Sequence, residues 1–358
     1  MSQSDRRKPT ARSRRAGRVL RIGLVGAGMI SFHHLIAWSR LAHCARVVAV
    51  CDPNIERAKK RVAEFDIPSA YDGVEMLLDR QEVDAIDIAS PRETHASVIE
   101  AAAARRVQVL CQKPLTPTFA EGEALSRRVA GKIRVMVHEN WRFRPWYRTL
   151  GKWLLQGDLG EVHYASMTMF CSGLLPDATG RRPALERQAF MANEERLMIA
   201  EVLIHHLDLV RWLFGPLRLL AARTTHTMAE VRGETLAALF LQTAAGAPIV
   251  VGGTMAASGF PARTEDRLEV IGSKASALFA DIELRLLGSQ PRHEIYDFDR
   301  DYQASFDAAI AHFVECLASG APFETDILDN LETLRLVDQA YLAAAVTGSE
   351  PNSRGPAR

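Results

Sequence analysis

The chain has 358 residues, 47% hydrophobic and 24% charged, and a net charge near +1. This composition suits a soluble globular protein of one to three domains with a sizeable core. It holds no run of about 18 apolar residues that would cross a membrane as a helix, and its charge gives no case for nucleic acid as the main partner.

The first 18 residues carry Arg6, Arg7, Lys8, Arg12, Arg14, Arg15 and Arg18 with few apolar side chains. Such a segment buries too little surface to fold, so residues 1–18 are expected to be a disordered basic arm. Its Arg14-Arg15 pair suggests a twin-arginine export signal, but no apolar h-region follows. Contact of this arm with nucleic acid is a weaker alternative.

The arm leads into the stretch on which the chain is organised, LRIGLVGAGMIS at 20–31. The apolar run Ile22–Val25 reads as a buried parallel strand. Gly26 and Gly28 let the backbone turn and approach a pyrophosphate. Met29 and Ile30 open a helix whose free N–H groups face the phosphates. Ser31 stands where the third glycine of G-x-G-x-x-G would be. A second apolar run, Val47–Cys51, ends in Asp52, 24 residues after Gly28, where a carboxylate would meet the adenosine ribose hydroxyls. The cofactor expected is therefore NAD. Asp52 would repel the 2′-phosphate of NADP, although Arg57 lies close enough in sequence to soften that preference.

Strands at 20–25, 46–51, 84–88, 107–111 and 133–137 alternate with helices near 29–42, 54–65, 73–79, 94–105 and 117–130. This alternation predicts a doubly wound parallel α/β sheet, a Rossmann domain over 19–140. Its ligands bind beyond the carboxyl ends of the strands. The residues there are Ser90, Pro91, Thr94 and His95, then Gln112, Lys113 and Pro114, then His138 to Arg142. The first group would line the ribose or nicotinamide side, although His95 alternatively only starts the next helix.

After Pro145 the pattern changes. A helix at 146–156 precedes strands at 162–171, 218–227, 235–243, 248–257, 266–271 and 276–281, interrupted by a helix at 196–214. This predicts an α/β substrate domain at 141–300 with a large, open, mostly antiparallel sheet. Helices at 303–319 and 325–346 are expected to pack back on the Rossmann domain (301–346), and 347–358 to be a disordered tail. The five cysteines, Cys44, Cys51, Cys111, Cys171 and Cys316, are scattered and make no metal pattern. Reduced thiols and a cytoplasmic location are expected, with no metal site.

Lys113 at the tip of its strand points toward the expected nicotinamide. Its ammonium would hydrogen-bond a substrate oxygen and stabilise charge as a hydroxyl becomes a carbonyl. Pro114 fixes the turn after it, and the bond between them is a candidate cis peptide. On a helix, Glu201, His205 and Asp208 share a face at i, i+4 and i+7. Glu201 would then hydrogen-bond His205 and fix its tautomer, making His205 a general base. His206 lies on another face and reads as packing. Asn140, Trp141 and Arg142 offer two donors and an aromatic surface suited to a polyol, or alternatively an interdomain hinge. Arg181, Arg182 and Arg187 would meet an acidic substrate or decorate a surface loop.

Together these motifs resemble the glucose-fructose oxidoreductase, inositol dehydrogenase and rhizopine catabolism family over nearly the whole chain. The family's Glu-Lys-Pro corresponds to Gln112-Lys113-Pro114, and its Asp-x-x-x-His-x-x-Asp to Glu201, His205 and Asp208. Gln112 in place of Glu removes a charge beside Lys113 and would tune its pKa. The stretch 138–142 looks like the branch containing D-apiose dehydrogenases. The resemblance implies an NAD-dependent sugar or polyol dehydrogenase, with Lys113 and His205 at the reacting carbon and Glu201 in the usual Asp position. It also implies a homodimer or homotetramer through the open sheet. A dinucleotide-binding regulator of the same fold without turnover is the alternative, and retention of both Lys113 and His205 argues against it.

Overall fold

The computed structural model describes residues 18–348. Most of the expected disordered arm (1–18) and tail (347–358) lies outside them; Arg18 is described, and residues 347–348 continue the last helix rather than the tail. The chain divides into two compact units, the first comprising residues up to Gln112, Arg128–His138 and Phe306–Asp326, the second the rest.

The first unit is a six-stranded parallel sheet in the order β3-β2-β1-β4-β5-β6. Its strands are β1 (Leu20–Val25), β2 (Ala45–Cys51), β3 (Ser69–Tyr71), β4 (Ala85–Ile88), β5 (Gln108–Gln112) and β6 (Val135–His138). Helices α1 (Ser31–Arg40), α2 (Ile55–Phe65), α3 (Val74–Arg80) and α4 (His95–Ala104) connect the first five strands. β4 and β6 are buried along their whole length, as strands covered on both faces must be. Of this unit's strands, β3 alone escapes the sequence reading, because three residues are too few to show a period.

A buried polar chain runs through this unit. Asp87 accepts from the Trp38 indole and pairs with His34, each at 2.7 Å. The Gln112 amide nitrogen meets His34 at 2.9 Å and His138 at 3.2 Å. Phe306 covers the rings of His33, His34 and His138.

The second unit holds α5 (Phe119–Val129) up to Arg127, then α6 (Pro145–Leu155), a short α7 (Pro183–Arg187) and α8 (Ile204–Phe214). Its eight-stranded sheet joins β7 (Val162–Phe170), β8 (Leu217–Thr225), β9 (Leu236–Thr243), β10 (Pro248–Thr254), β11 (Glu265–Gly272), β12 (Ser276–Ala280), β13 (Glu283–Leu287) and β14 (Arg292–Ile295). The order is β14-β13-β12-β11-β7-β10-β9-β8, and every pair is antiparallel except β7 with β10. Inward residues such as Ala165, Met167, Met169, Leu239, Leu241, Ile249 and Val251 are fully buried or nearly so. Residues on the opposite face, among them Phe240, Ile271 and Leu287, are exposed.

The terminal helices divide between the units. α9 (Phe298–Ser319) enters the first unit from Phe306 onward, and Thr325 extends the edge of β6 by bonding both backbone groups of Val137. α10 (Ile327–Gly348) instead packs on β8 and α8 of the second unit. The expectation that both helices cover the Rossmann domain is corrected for α10. Its apolar stripe, including Leu331, Leu334 and Val337, is buried within the second unit. Among the described residues, no helix is long and apolar enough to cross a membrane.

Candidate active site

In the first unit the glycine turn has the geometry a dinucleotide needs. Gly26 sits at φ +95°, where an L side chain is strained, and a Cβ there would fall 2.7 Å from the Ala89 carbonyl. A Cβ at Gly28 would meet nothing within 4 Å, so open space lies beside the turn. Ser31 Oγ donates to the Gly28 carbonyl at 2.6 Å, and the N–H groups of Phe32 and His33 in the first turn of α1 meet the carbonyls of Met29 and Ile30. Arg61 on α2 braces the same turn, donating to Gly28 O and Ser31 Oγ. Its role was not legible in sequence, since the contact crosses 33 residues. Met29 is exposed at the turn, and Ile30 stands at the N-cap of α1.

Asp52 is nearly buried, and its carboxylate accepts from Ala27 N at 2.9 Å and Asn54 N at 2.8 Å. It thus ties the end of β2 to the glycine turn. Ser90 Oγ pairs with Thr94 Oγ1 at 2.7 Å, and Thr94 also donates to the Pro91 carbonyl. His95 is buried and holds the Ser90 carbonyl at 3.0 Å, so it braces this loop as well as starting α4. Gly26→Ala is expected to weaken NADH binding about 10- to 100-fold, the equivalent of roughly 1–3 kcal/mol of backbone strain. A fluorescence titration would measure it.

In the second unit Lys113, joined to Pro114 by a cis peptide bond, comes against Glu201. Its ammonium donates to the Glu201 carbonyl at 2.7 Å and lies 3.5 Å from the Glu201 carboxylate. The expected bond from Glu201 to His205 is replaced. His205 Nδ1 instead meets Glu139 Oε2 at 2.7 Å. The reason is local: Met198–Leu203 is a π-helical segment, and α8 begins only at Ile204. The wider turn carries Glu201 off the i, i+4 alignment that an α-helix would give. The segment is anchored by Glu234, whose carboxylate accepts from Leu197 N and Ile199 N and from the Tyr341 hydroxyl. Gly253 lets it approach the sheet, since a Cβ there would crowd Met169 O and Leu203.

Trp141 stacks on the His205 ring at a centroid distance of 4.8 Å and an interplanar angle of 6°. The Arg144 guanidinium lies 3.8 Å over Trp141. Arg144 is held by Asp266, which also accepts from Tyr147 and pairs with His206. Trp141 is only 7% exposed, so it walls His205 and offers little flat surface to a polyol. Arg142 is corrected in the same way. It grips Asp208 through two bonds of 2.5 and 2.6 Å and also reaches Asp329, and its side chain is 4% exposed. Asn140 is buried and donates to Ser305 at 2.8 Å. The 140–142 donors expected for substrate are thus engaged with protein. The Gln112 side-chain nitrogen points to His34 and His138 in the first unit. Arg182 bonds Leu174 O and Glu230, and Arg181 bonds Asp177.

Burial raises the Glu139 carboxyl to about 7, and the cations of Lys113 and Arg142 oppose that rise. Burial, followed by the charges of Lys113 and Arg144, holds the His205 imidazole well below its ordinary value. His205 is therefore neutral near pH 7. With Nδ1 on Glu139, Nε2 is the ring nitrogen able to take a proton. The pairing of Glu139 with His205 is not legible in sequence, because only the fold brings the two together across 66 residues. Among the described residues, no group of three or more His, Cys, Asp or Glu side chains could hold a metal.

Residues 20–139 match the family described as an oxidoreductase family with an NAD-binding Rossmann fold, and residues 147–278 match the GFO/IDH/MocA C-terminal domain. The chain is 31% identical to a D-apiose dehydrogenase of Paraburkholderia graminis, over 90% of this chain and 86% of that one. It is 29% identical to a D-apiose dehydrogenase of Rhizobium rhizogenes, covering 91% and 95%. Its fold superposes on an oxidoreductase from Agrobacterium radiobacter solved with NAD+, L-tartaric acid and magnesium, with a TM-score of 0.85, 26% identity, and 92% and 97% of the two chains covered. The glycine turn, the two sheets and these matches agree that the chain belongs to the GFO/IDH/MocA family of NAD-binding oxidoreductases.

Proposed function

We propose that this oxidoreductase is a sugar or polyol dehydrogenase, with a branched pentose such as D-apiose as the leading substrate class. The observation that carries the reading is the second-unit site, where a lysine ammonium and a neutral histidine share one buried surround. Those are the two groups needed to draw a proton from an alcohol and to stabilise the oxygen it leaves. The nearly full-length similarity to two D-apiose dehydrogenases supports the substrate class.

In this reading His205 Nε2 accepts the hydroxyl proton and Lys113 Nζ holds the substrate oxygen as it becomes a carbonyl. Glu201 positions Lys113 through its carbonyl and carboxylate. NAD, when bound, supplies the hydride acceptor. The turn at Gly26, Gly28, Met29 and Ile30, with Asp52, Gln112 and the loop Ser90, Pro91, Thr94 and His95, would hold that cofactor. The carboxylate at Asp52 supports NAD over NADP. We further propose that the enzyme is cytoplasmic and assembles as a homodimer or homotetramer through the open sheet face that exposes Phe240, Ile271 and Leu287.

The test is the appearance of NADH absorbance over a panel of branched pentoses, aldoses, inositols and sugar acids, with NADP in parallel. Turnover is expected with NAD and strongest on the branched pentose. Turnover on sugar acids alone would overturn the substrate class, and use of NADP alone would overturn the role given to Asp52.

A further inference from the structure

We propose that Glu139 is a positioning residue that sets the tautomer of His205 and so switches the base on and off with pH. The inference rests on the reading of His205 as the base and adds a residue to it. Glu139 follows β6 and is fully buried. Its Oε2 lies 2.7 Å from His205 Nδ1, and its Oε1 is buried with no hydrogen-bond partner among the described residues. Trp141, stacked on the imidazole, opposes a flip of the ring, so the same nitrogen stays toward Glu139.

The consequence follows from hydrogen-bond chemistry. An ionised carboxylate can only accept, so Nδ1 must carry the ring proton and Nε2 keeps its lone pair. A protonated Glu139 would donate to Nδ1 instead. The ring proton then sits on Nε2, and the base is lost. During turnover the proton leaving the substrate hydroxyl goes to Nε2, while the Nδ1 proton stays on its bond to Glu139, whose charge steadies the imidazolium. The groups facing Glu139 are Lys113, Arg142 and Arg211 as cations and Asp208 and Asp329 as anions, besides His205 itself. Those facing His205 are Lys113, Arg144, His206 and Asp208. Burial dominates all of these at Glu139 and puts its titration near neutrality, at about 7.

The experiment compares kcat/KM against pH for the native enzyme, Glu139→Gln and His205→Asn. The native enzyme is expected to lose activity on the acid side with a midpoint near 7. Glu139→Gln is expected to fall about 10- to 1000-fold and to lose that acid limb, with NADH affinity unchanged. A Glu139→Gln variant that keeps the native limb, or the native rate, overturns the proposal. An active His205→Asn variant would overturn the base itself. An inactive His205→Asn beside an unaffected Glu139→Gln would overturn only the role of Glu139. If Glu139→Gln fails to fold, 15N shifts of His205 in the native protein decide. A change from Nδ1–H to Nε2–H as pH falls through neutrality supports the switch, and an unchanging tautomer overturns it.

Discussion

Lys113→Met is expected to lower kcat/KM by about 10²–10⁴-fold, with a much smaller change in NADH affinity. The ammonium is 16% exposed at its side chain and is aimed by the Glu201 carbonyl at 2.7 Å. Methionine keeps a long unbranched apolar stem, one atom shorter, and removes the charge and the donors. A second consequence separates this loss from a packing defect. The Lys113 charge lowers the pKa of Glu139 and of His205. Without it Glu139 rises further, so any residual activity should show an acid limb displaced above the native one. Arginine should not rescue the variant, because its planar fork does not reproduce a compact ammonium. Steady-state kinetics across pH measure both effects. Activity within about threefold of native would remove Lys113 from the reaction.

Arg142→Met is expected to destabilise the protein by roughly 3–5 kcal/mol, because it strands a buried anion. Asp208 is 1% exposed at its side chain and holds the guanidinium by two oxygens, with Thr333 as a further donor. Its carboxyl is raised by burial even with Arg142 beside it. Among the described residues, removing the cation leaves Arg211, 3.8 Å from Asp208 and shared with Asp329, as its paired cation. The double variant Arg142→Met/Asp208→Leu should recover much of the loss, since a buried pair replaced by apolar side chains is often close to neutral. Urea unfolding measures this. A loss below about 1 kcal/mol in the single variant would show that water reaches Asp208. Because Arg142 is flanked by Trp141 and lies three residues beyond Glu139, the single variant should also slow turnover.

Local signals suffice where the chemistry is local. The turn at Gly26–Gly28 follows from backbone sterics over a few residues. The two sheets follow from hydrophobic period, which changes after Pro145. They do not suffice where a side chain chooses among distant partners. Glu201 and His205 look paired on an ideal helix, and a π-helical segment anchored by Glu234 undoes the pairing. Arg142 and Trp141 have the chemistry of a sugar site, but burial commits one to Asp208 and the other to the His205 ring. Gln112 looks like a neighbour that tunes Lys113, yet successive side chains of a strand point to opposite sides, and its amide nitrogen reaches His34 and His138.

The sequence by itself determined the strand-turn-helix at the glycine motif, the parallel and antiparallel character of the two sheets, and the residue types available for proton transfer. These depend on sterics and periodicity over a dozen residues at most. Only the tertiary structure decided which carboxylate meets which cation or imidazole. Glu139 reaches His205 across 66 residues and Lys113 reaches Glu201 across 88. Such pairings are selected by the desolvation of buried charge, which depends on what the whole fold places around each group.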